Sequence, residues 1–142
     1  MYGFTHAVFG LALCRVLRVP VVTGVVAAGM PDVDTLFSFG YPFGHRGALH
    51  TPIAAVFVGL LVFAWTGRRS SGAAAFAGWM SHLFLDTLTP SGILWLFPVR
   101  ARFSLDVALA ASLEANLAIM AVSFAVFKLW VERMRWLQWI PR

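Results

Sequence analysis

Apolar runs, each closed by proline, glycine or a cluster of polar residues, divide this chain into pieces of helical length. The first covers about residues 3–19 and stops at Pro20. The second, 21–30, is short and stops at Pro31. A third runs over 50–66, a fourth over 73–88 and a fifth over 104 to about 133. Proline cannot continue a helix, so these breaks are firm. Residues 35–49 and 89–103 read as loops, with a short interfacial piece at 93–97. Residues 67–72 read as a polar turn and 135–142 as a Trp-rich tail. The chain is 60% hydrophobic and 12% charged, whereas a soluble domain is about 45–50% apolar and about 25% charged. The expectation is an all-α fold: a polytopic transmembrane helical bundle of four to five membrane segments. It forms one integral membrane domain over residues 1–142, without a cleavable signal peptide. The third and fourth runs are about 17 residues, the low end for spanning a bilayer. The second is too short to span and reads as a half-helix, which a membrane tolerates only inside protein or beside a cavity.

Basic residues orient the bundle. With the N-terminus outside the cytoplasm, Arg15, Arg18, Arg68, Arg69, Lys128, Arg133, Arg135 and Arg142 fall on the inner side, and Arg46, Arg100 and Arg102 on the outer. Trp130, Trp136 and Trp139 then form an inner aromatic belt with Trp65. The net charge of +5 is explained by these segment ends. No basic run interleaved with aromatics points to nucleic acid. Cys14 is the single cysteine, so neither an intrachain disulfide nor a CxxC site exists.

The polar residues inside this apolar chain are the informative ones. His82 and Asp86 are four apart, so on a helix they share a face with Cβ atoms roughly 6 Å apart. One metal ion can take two ligands from that spacing. In the topology above, His6 lies at the outer end of the first segment, and Asp32 and Asp34 at the outer end of the second. His45 lies in the outer loop, His50 opens the third segment from the same side, and His82 and Asp86 lie at the outer end of the fourth segment. Reversing the topology moves this cluster to the other face without dispersing it. Each motif alone has a plainer reading: a hydrogen-bonded tether between helices, a helix stop with its cap, a loop facing lipid headgroups. Together they favour a metal site. Glu114 is open between ligand, outer partner and packing contact, with Asn116 beside it. Asp106 reads as an acid at a helix N-terminus.

Imidazoles with carboxylates suit zinc, with manganese or iron as alternatives. The candidates outnumber one tetrahedral site, so one or two ions are expected. Two ions together stabilise attacking and leaving oxygens in ester or amide hydrolysis, with a metal-activated water as nucleophile. Arg46 is placed to clamp a phosphate in bidentate fashion. Asp34, Arg46 and His45 are the candidate catalytic residues, with an Asp orienting or bridging. Membrane lipids are the expected partners, and the substrate a phosphoester of a lipid or other amphiphile. The alternative is a non-enzymatic membrane protein: a metal-binding or assembly subunit, or a metal carrier. A carrier needs polar groups along a path, and only Glu114 and Asn116 lie deep. An intramembrane protease ranks last, since no HExxH occurs.

Between Thr5 and Pro98 the chain resembles the YdjM-type family of small membrane-bound, metal-dependent hydrolases. The resemblance rests on Thr5-His6, Pro31-Asp32-Val33-Asp34, His45-Arg46-Gly47 with His50-Thr51, Ser81-His82-Leu83-Phe84-Leu85-Asp86, Leu88-Thr89-Pro90-Ser91-Gly92 and Pro98. Ser112-Leu113-Glu114 matches a further Ser-x-Glu element. That family is in turn similar to the helical zinc phospholipase C and P1-type nuclease group, which hold zinc on His and Asp clusters for phosphodiester hydrolysis. The resemblance implies His6, Asp32, Asp34, His50, His82 and Asp86 as metal ligands, with His45 nearby. This chain is shorter than those soluble enzymes and lacks their full set of histidines, so a three-metal centre is not expected.

Overall fold

The structure, a computed structural model, describes residues 2–36, 45–107, 110 and 112–138, with side chains through Arg133. The middle of the expected 35–49 loop, the end of the Trp-rich tail and the side chains of Trp136 and Trp139 lie outside the described residues.

Among these residues the fold is all helical: α1 (Gly3–Val16), α2 (Val21–Gly29), a 3-10 helix (Met30–Leu36), α3 (Pro52–Thr66), α4 (Arg69–Thr87) and α5 (Leu113–Gln138). The other helices are arranged around α4. α1, α2 and α3 all pack on it, while α5 lies chiefly along α1. Small side chains make this possible. Gly72, Ala74, Ala75, Gly78 and Ser81 are buried on α4 and let neighbouring backbones approach closely, as helices do where no water drives their association. At Gly78 a Cβ would run into the backbone carbonyl of Gly24 on α2. Gly78→Val should therefore force α2 away from α4 at a cost of about 1–3 kcal/mol or more. The check is the yield of monodisperse protein in detergent and its melting temperature. A variant indistinguishable from wild type would refute the crossing.

α3 shows the opposite character. Thr51 caps it by accepting a hydrogen bond from the Ala54 N–H at 3.2 Å, and Pro52 fits the first turn, where no N–H is needed. Gly67 ends it in the left-handed region at φ 66°. Only Ala55 and Gly59 are buried on it, whereas Ile53, Phe57, Leu60, Leu61 and Trp65 are exposed. Contiguous apolar surface of that extent marks a membrane or partner interface. By length and hydropathy one described helix, over Leu113–Arg133, suffices to cross a membrane, and α1 and α3 are apolar but shorter.

Two helix starts differ from the sequence reading by four residues or more. α4 begins at Arg69 rather than 73. Its polar first turn is helical because Ser71 and Gly72 are buried, and a Cβ at Gly72 would crowd Gly59 and Phe63 of α3. α5 begins at Leu113 rather than 104. Residues 103–107 do not join the helix: Ile93 and Phe103 form an antiparallel bridge. The N–H groups of Leu105 and Val107 donate to the carbonyls of Thr87 and Leu88 at 2.9 and 3.0 Å. Two of the free carbonyls at the C-terminal end of α4 are thus satisfied by this segment. Asp106 sits in it at φ 51°, exposed, and is not the helix N-terminal acid that the sequence implied.

Candidate metal centre

Every candidate ligand sits on a segment whose geometry the sequence sets locally. α1 brings His6 in its first turn, and α4 brings His82 and Asp86 at its end, just before Thr89-Pro90. Pro31 turns α2 into the 3-10 helix that carries Asp32 and Asp34. His50 immediately precedes the Thr51-Pro52 start of α3. His6, Asp34, His50, His82 and Asp86 are all buried, and Asp32 is partly exposed.

The core of the site is a pair of facing imidazoles. His82 Nε2 and His50 Nε2 are 3.1 Å apart. His82 Nδ1 lies 2.8 Å from the Ala28 carbonyl oxygen, which only accepts, so that nitrogen carries the proton. His50 Nδ1 lies 2.9 Å from Asp34 Oδ2 and donates to it. Neutral rings held this way turn two bare lone pairs toward each other, an arrangement that needs a cation between them. Two carboxylate oxygens complete the group. Asp32 Oδ1 is 3.5 Å from both Nε2 atoms, and Asp86 Oδ2 is 3.7 Å from His50 Nε2 and 3.6 Å from His82 Nε2. Four ligands at 2.0–2.2 Å from a tetrahedral centre stand roughly 3.3–3.6 Å from one another. The edges of this group fit a small divalent cation, and the Nδ1 contacts are the outer partners that ligating histidines ordinarily have. Burial works against charge on Asp32, but the surrounding imidazoles, His50 foremost and then His82 and His6, outweigh it and hold its carboxyl below the ordinary range. Asp32 is thus available as an anionic donor at neutral pH.

His6 extends the cluster. Its ring stacks on His82 with centroids 3.8 Å apart, and Nε2 is 3.5 Å from Asp86 Oδ1. His6 Nδ1 is a buried nitrogen without a hydrogen-bond partner among the described residues. Such atoms are costly unless something coordinates them. Two ligand triads follow from the placement: His6, His82 and Asp86 in one, Asp32, His45 and His50 in the other.

Asp34 takes a different part from the one the resemblance implies. Oδ1 accepts from His45 Nδ1 at 2.9 Å. Oδ2 accepts from His50 Nδ1 at 2.9 Å and from the Arg46 N–H at 3.1 Å. Both oxygens face outer partners, so Asp34 orients the ligands from behind. His45 is half-exposed at the rim. The Arg46 guanidinium points into the site: Nη2 is 3.4 Å from Asp86 Oδ1, and Nη1 donates to Thr89 Oγ1 at 2.8 Å. Glu114 is exposed in the first turn of α5 and is not part of the cluster.

The supporting contacts that hold this cluster in place are not legible in the sequence. Asn116, fully buried on α5, accepts from Thr5 Oγ1 at 2.8 Å and from the Tyr2 N–H at 3.2 Å, which fixes the turn bearing His6. Trp79 donates from Nε1 to the Leu49 carbonyl at 2.8 Å and pins the approach to His50. The available signal was polarity in an apolar run: Asn116 in α5, and Thr5 next to His6.

A family model described as YdjM inner membrane protein matches residues 1–141. The inner membrane protein YbcI of Escherichia coli (strain K12) is 37% identical over 89 residues, which is 53% of this chain and 51% of YbcI. The match therefore spans about half the length of that relative. The inner membrane protein YdjM of Escherichia coli (strain K12) is 25% identical over 158 residues, covering 89% of this chain and 80% of YdjM. The uncharacterized protein YvsG of Bacillus subtilis (strain 168) is 30% identical over 125 residues, 74% of this chain and 78% of YvsG. No solved structure matches the chain.

Proposed function

The chain belongs to the YdjM family of inner membrane proteins, and we propose that it is a membrane-embedded, metal-dependent hydrolase acting on a phosphoester of a lipid or other amphiphile. The observation that carries this reading is the pair of Nε2 atoms of His50 and His82, 3.1 Å apart with both Nδ1 protons committed elsewhere. His50, His82, Asp32 and Asp86 would hold one ion, with His6 and His45 extending the set toward a second. Zinc suits a histidine and carboxylate set of this size best, and manganese or iron would also fit. A bound divalent ion supplies an acidified water and stabilises charge developing on phosphoryl oxygens. The chain's own groups do the rest. Asp34 holds His50 and His45 in register. Arg46 offers guanidinium donors at the mouth of the site, where a phosphate would exchange for its contact with Asp86. Clustered His and Asp ligands on helices beside a phosphate-binding cation favour phosphodiester chemistry, as in the zinc phospholipase C and P1-type nuclease group. In this reading the bundle crosses the membrane four to five times, and the N-terminus and metal centre face the extracytoplasmic side.

Elemental mass spectrometry of detergent-purified protein tests the reading, with the His82→Ala/Asp86→Ala variant alongside. The wild type should carry one or two equivalents of metal and hydrolyse phosphodiesters, and the variant should do neither. Two folded, metal-free proteins would overturn the proposal. Metal without turnover on any phosphoester would leave a non-enzymatic binding or assembly protein.

A further inference from the structure

An apolar groove runs beside the site, along the seam that α5 leaves open. Its upper part has a volume of about 310 Å³ and is lined by Phe84 of α4, Leu88 just after it, Ala118, Val122 and Ser123 of α5, and Phe9 of α1. Its lower part, about 160 Å³, shares Phe9, Val122 and Ser123 and continues between Leu13 of α1 and Val126 of α5. Ala118 and Val126 are eight residues apart, roughly 12 Å at helical rise. Ser123 does not make the groove polar, because its hydroxyl donates to the Ile119 carbonyl at 2.7 Å. α5 rests on α1 rather than on α4, so the upper groove opens sideways between α4 and α5.

The groove lies beside the metal centre, with the cluster residues neighbours of its lining along α1 and α4. Phe9 lies one turn below His6 on α1, and Leu85 and Leu88 flank Asp86 on α4. The head of this path is cationic and polar, with Arg46 hydrogen-bonded to Thr89. The rest of it is hydrocarbon. A molecule with an anionic head and an apolar tail matches both ends, and a small soluble phosphate matches only one.

We propose that the groove between α1, α4 and α5 seats the hydrocarbon chain of a membrane lipid, which enters laterally between α4 and α5 and places its phosphate at the Arg46 end. The choice of substrate rests on the hydrolase reading; the binding of the chain does not. A chain that enters from the bilayer exchanges one hydrocarbon surrounding for another, so preference for a lipid comes from the fit of its chain to the groove and from its anionic head at Arg46.

A hexadecylphosphocholine bearing a diazirine near its tail, photolysed with the full chain in nanodiscs, provides the test. In the wild type the label should concentrate on residues 9–13 and 118–126, and excess hexadecylphosphocholine, but not glycerophosphocholine, should displace it. Ala118→Trp and Ser123→Trp fill the groove and should each remove most of that labelling, with metal content as the check on folding. Label spread equally over the outward face of α3 and the groove in the wild type would overturn the proposal, as would labelling unchanged in both variants. Groove labelling without turnover of any phosphoester would retire the hydrolase and keep the lipid site. Turnover of bis-p-nitrophenyl phosphate with evenly spread label would do the reverse.

Discussion

Chelation should lower the melting temperature of the wild-type protein in detergent by on the order of 10 °C, and His82→Ala should melt at the same temperature with or without chelator. The magnitude follows from linkage. An ion present at about a thousand times its dissociation constant stabilises the folded state by about 4 kcal/mol, and each kcal/mol moves the melting point of a chain this size by roughly 2–4 °C. The direction follows from the two Nε2 atoms 3.1 Å apart. Without a cation, two buried lone pairs face each other, or one ring must hold a second proton inside an apolar fold. His82→Ala removes that conflict together with the ligand, so its stability should no longer respond to metal. A wild type indifferent to chelator and to added zinc or manganese would sink the metal centre.

The second large effect is expected at a residue that need not touch the ion. Asp34→Asn keeps the shape of the side chain and removes the charge that receives the His50 Nδ1 proton. Loss of an outer partner of this kind typically costs 10–100-fold in metal affinity or activity, and we expect that range for Asp34→Asn in a zinc competition titration. His45→Ala, which removes the half-exposed partner of the same carboxylate and a donor toward the second ion only, should cost the first ion less than tenfold on that scale. Equal losses in the two variants would mean that Asp34 coordinates directly, or that His45 is an essential ligand.

The sequence made the cluster legible because hydrophobic surroundings leave few reasons for a histidine or an aspartate. His6, His50, His82 and Asp86 stand out against apolar neighbours, and their common level follows from helices that alternate in direction. The roles within the cluster were less legible. Asp32 and Asp34 are two apart in one short motif, yet one turns an oxygen to the facing imidazoles and the other holds them from outside. That distinction is made by the 3-10 turn, whose dihedrals no hydropathy pattern encodes. Residues 104–112 read as helix because they are apolar, but in the structure the stretch from Phe103 to Val107 serves as an edge that ties off α4. Local composition could not reveal that Thr87 and Leu88 needed hydrogen-bond partners. Asn116 was noticed for its depth rather than its work, since its contact with Thr5 spans 111 residues of sequence.

The early end of α2 has an evolutionary consequence. The Ala28 carbonyl can receive the His82 proton because the chain changes pitch just after it. One extra residue between Gly24 and Asp32 would swing everything downstream through about 100°, turning both the carbonyl and the two acids away. This short stretch therefore acts as a reading frame for the site. Among descendants of this chain, length changes should accumulate near Gly67 or beyond Lys128, while the distance from Gly24 to Asp34 stays constant even after most of the side chains between them have been exchanged.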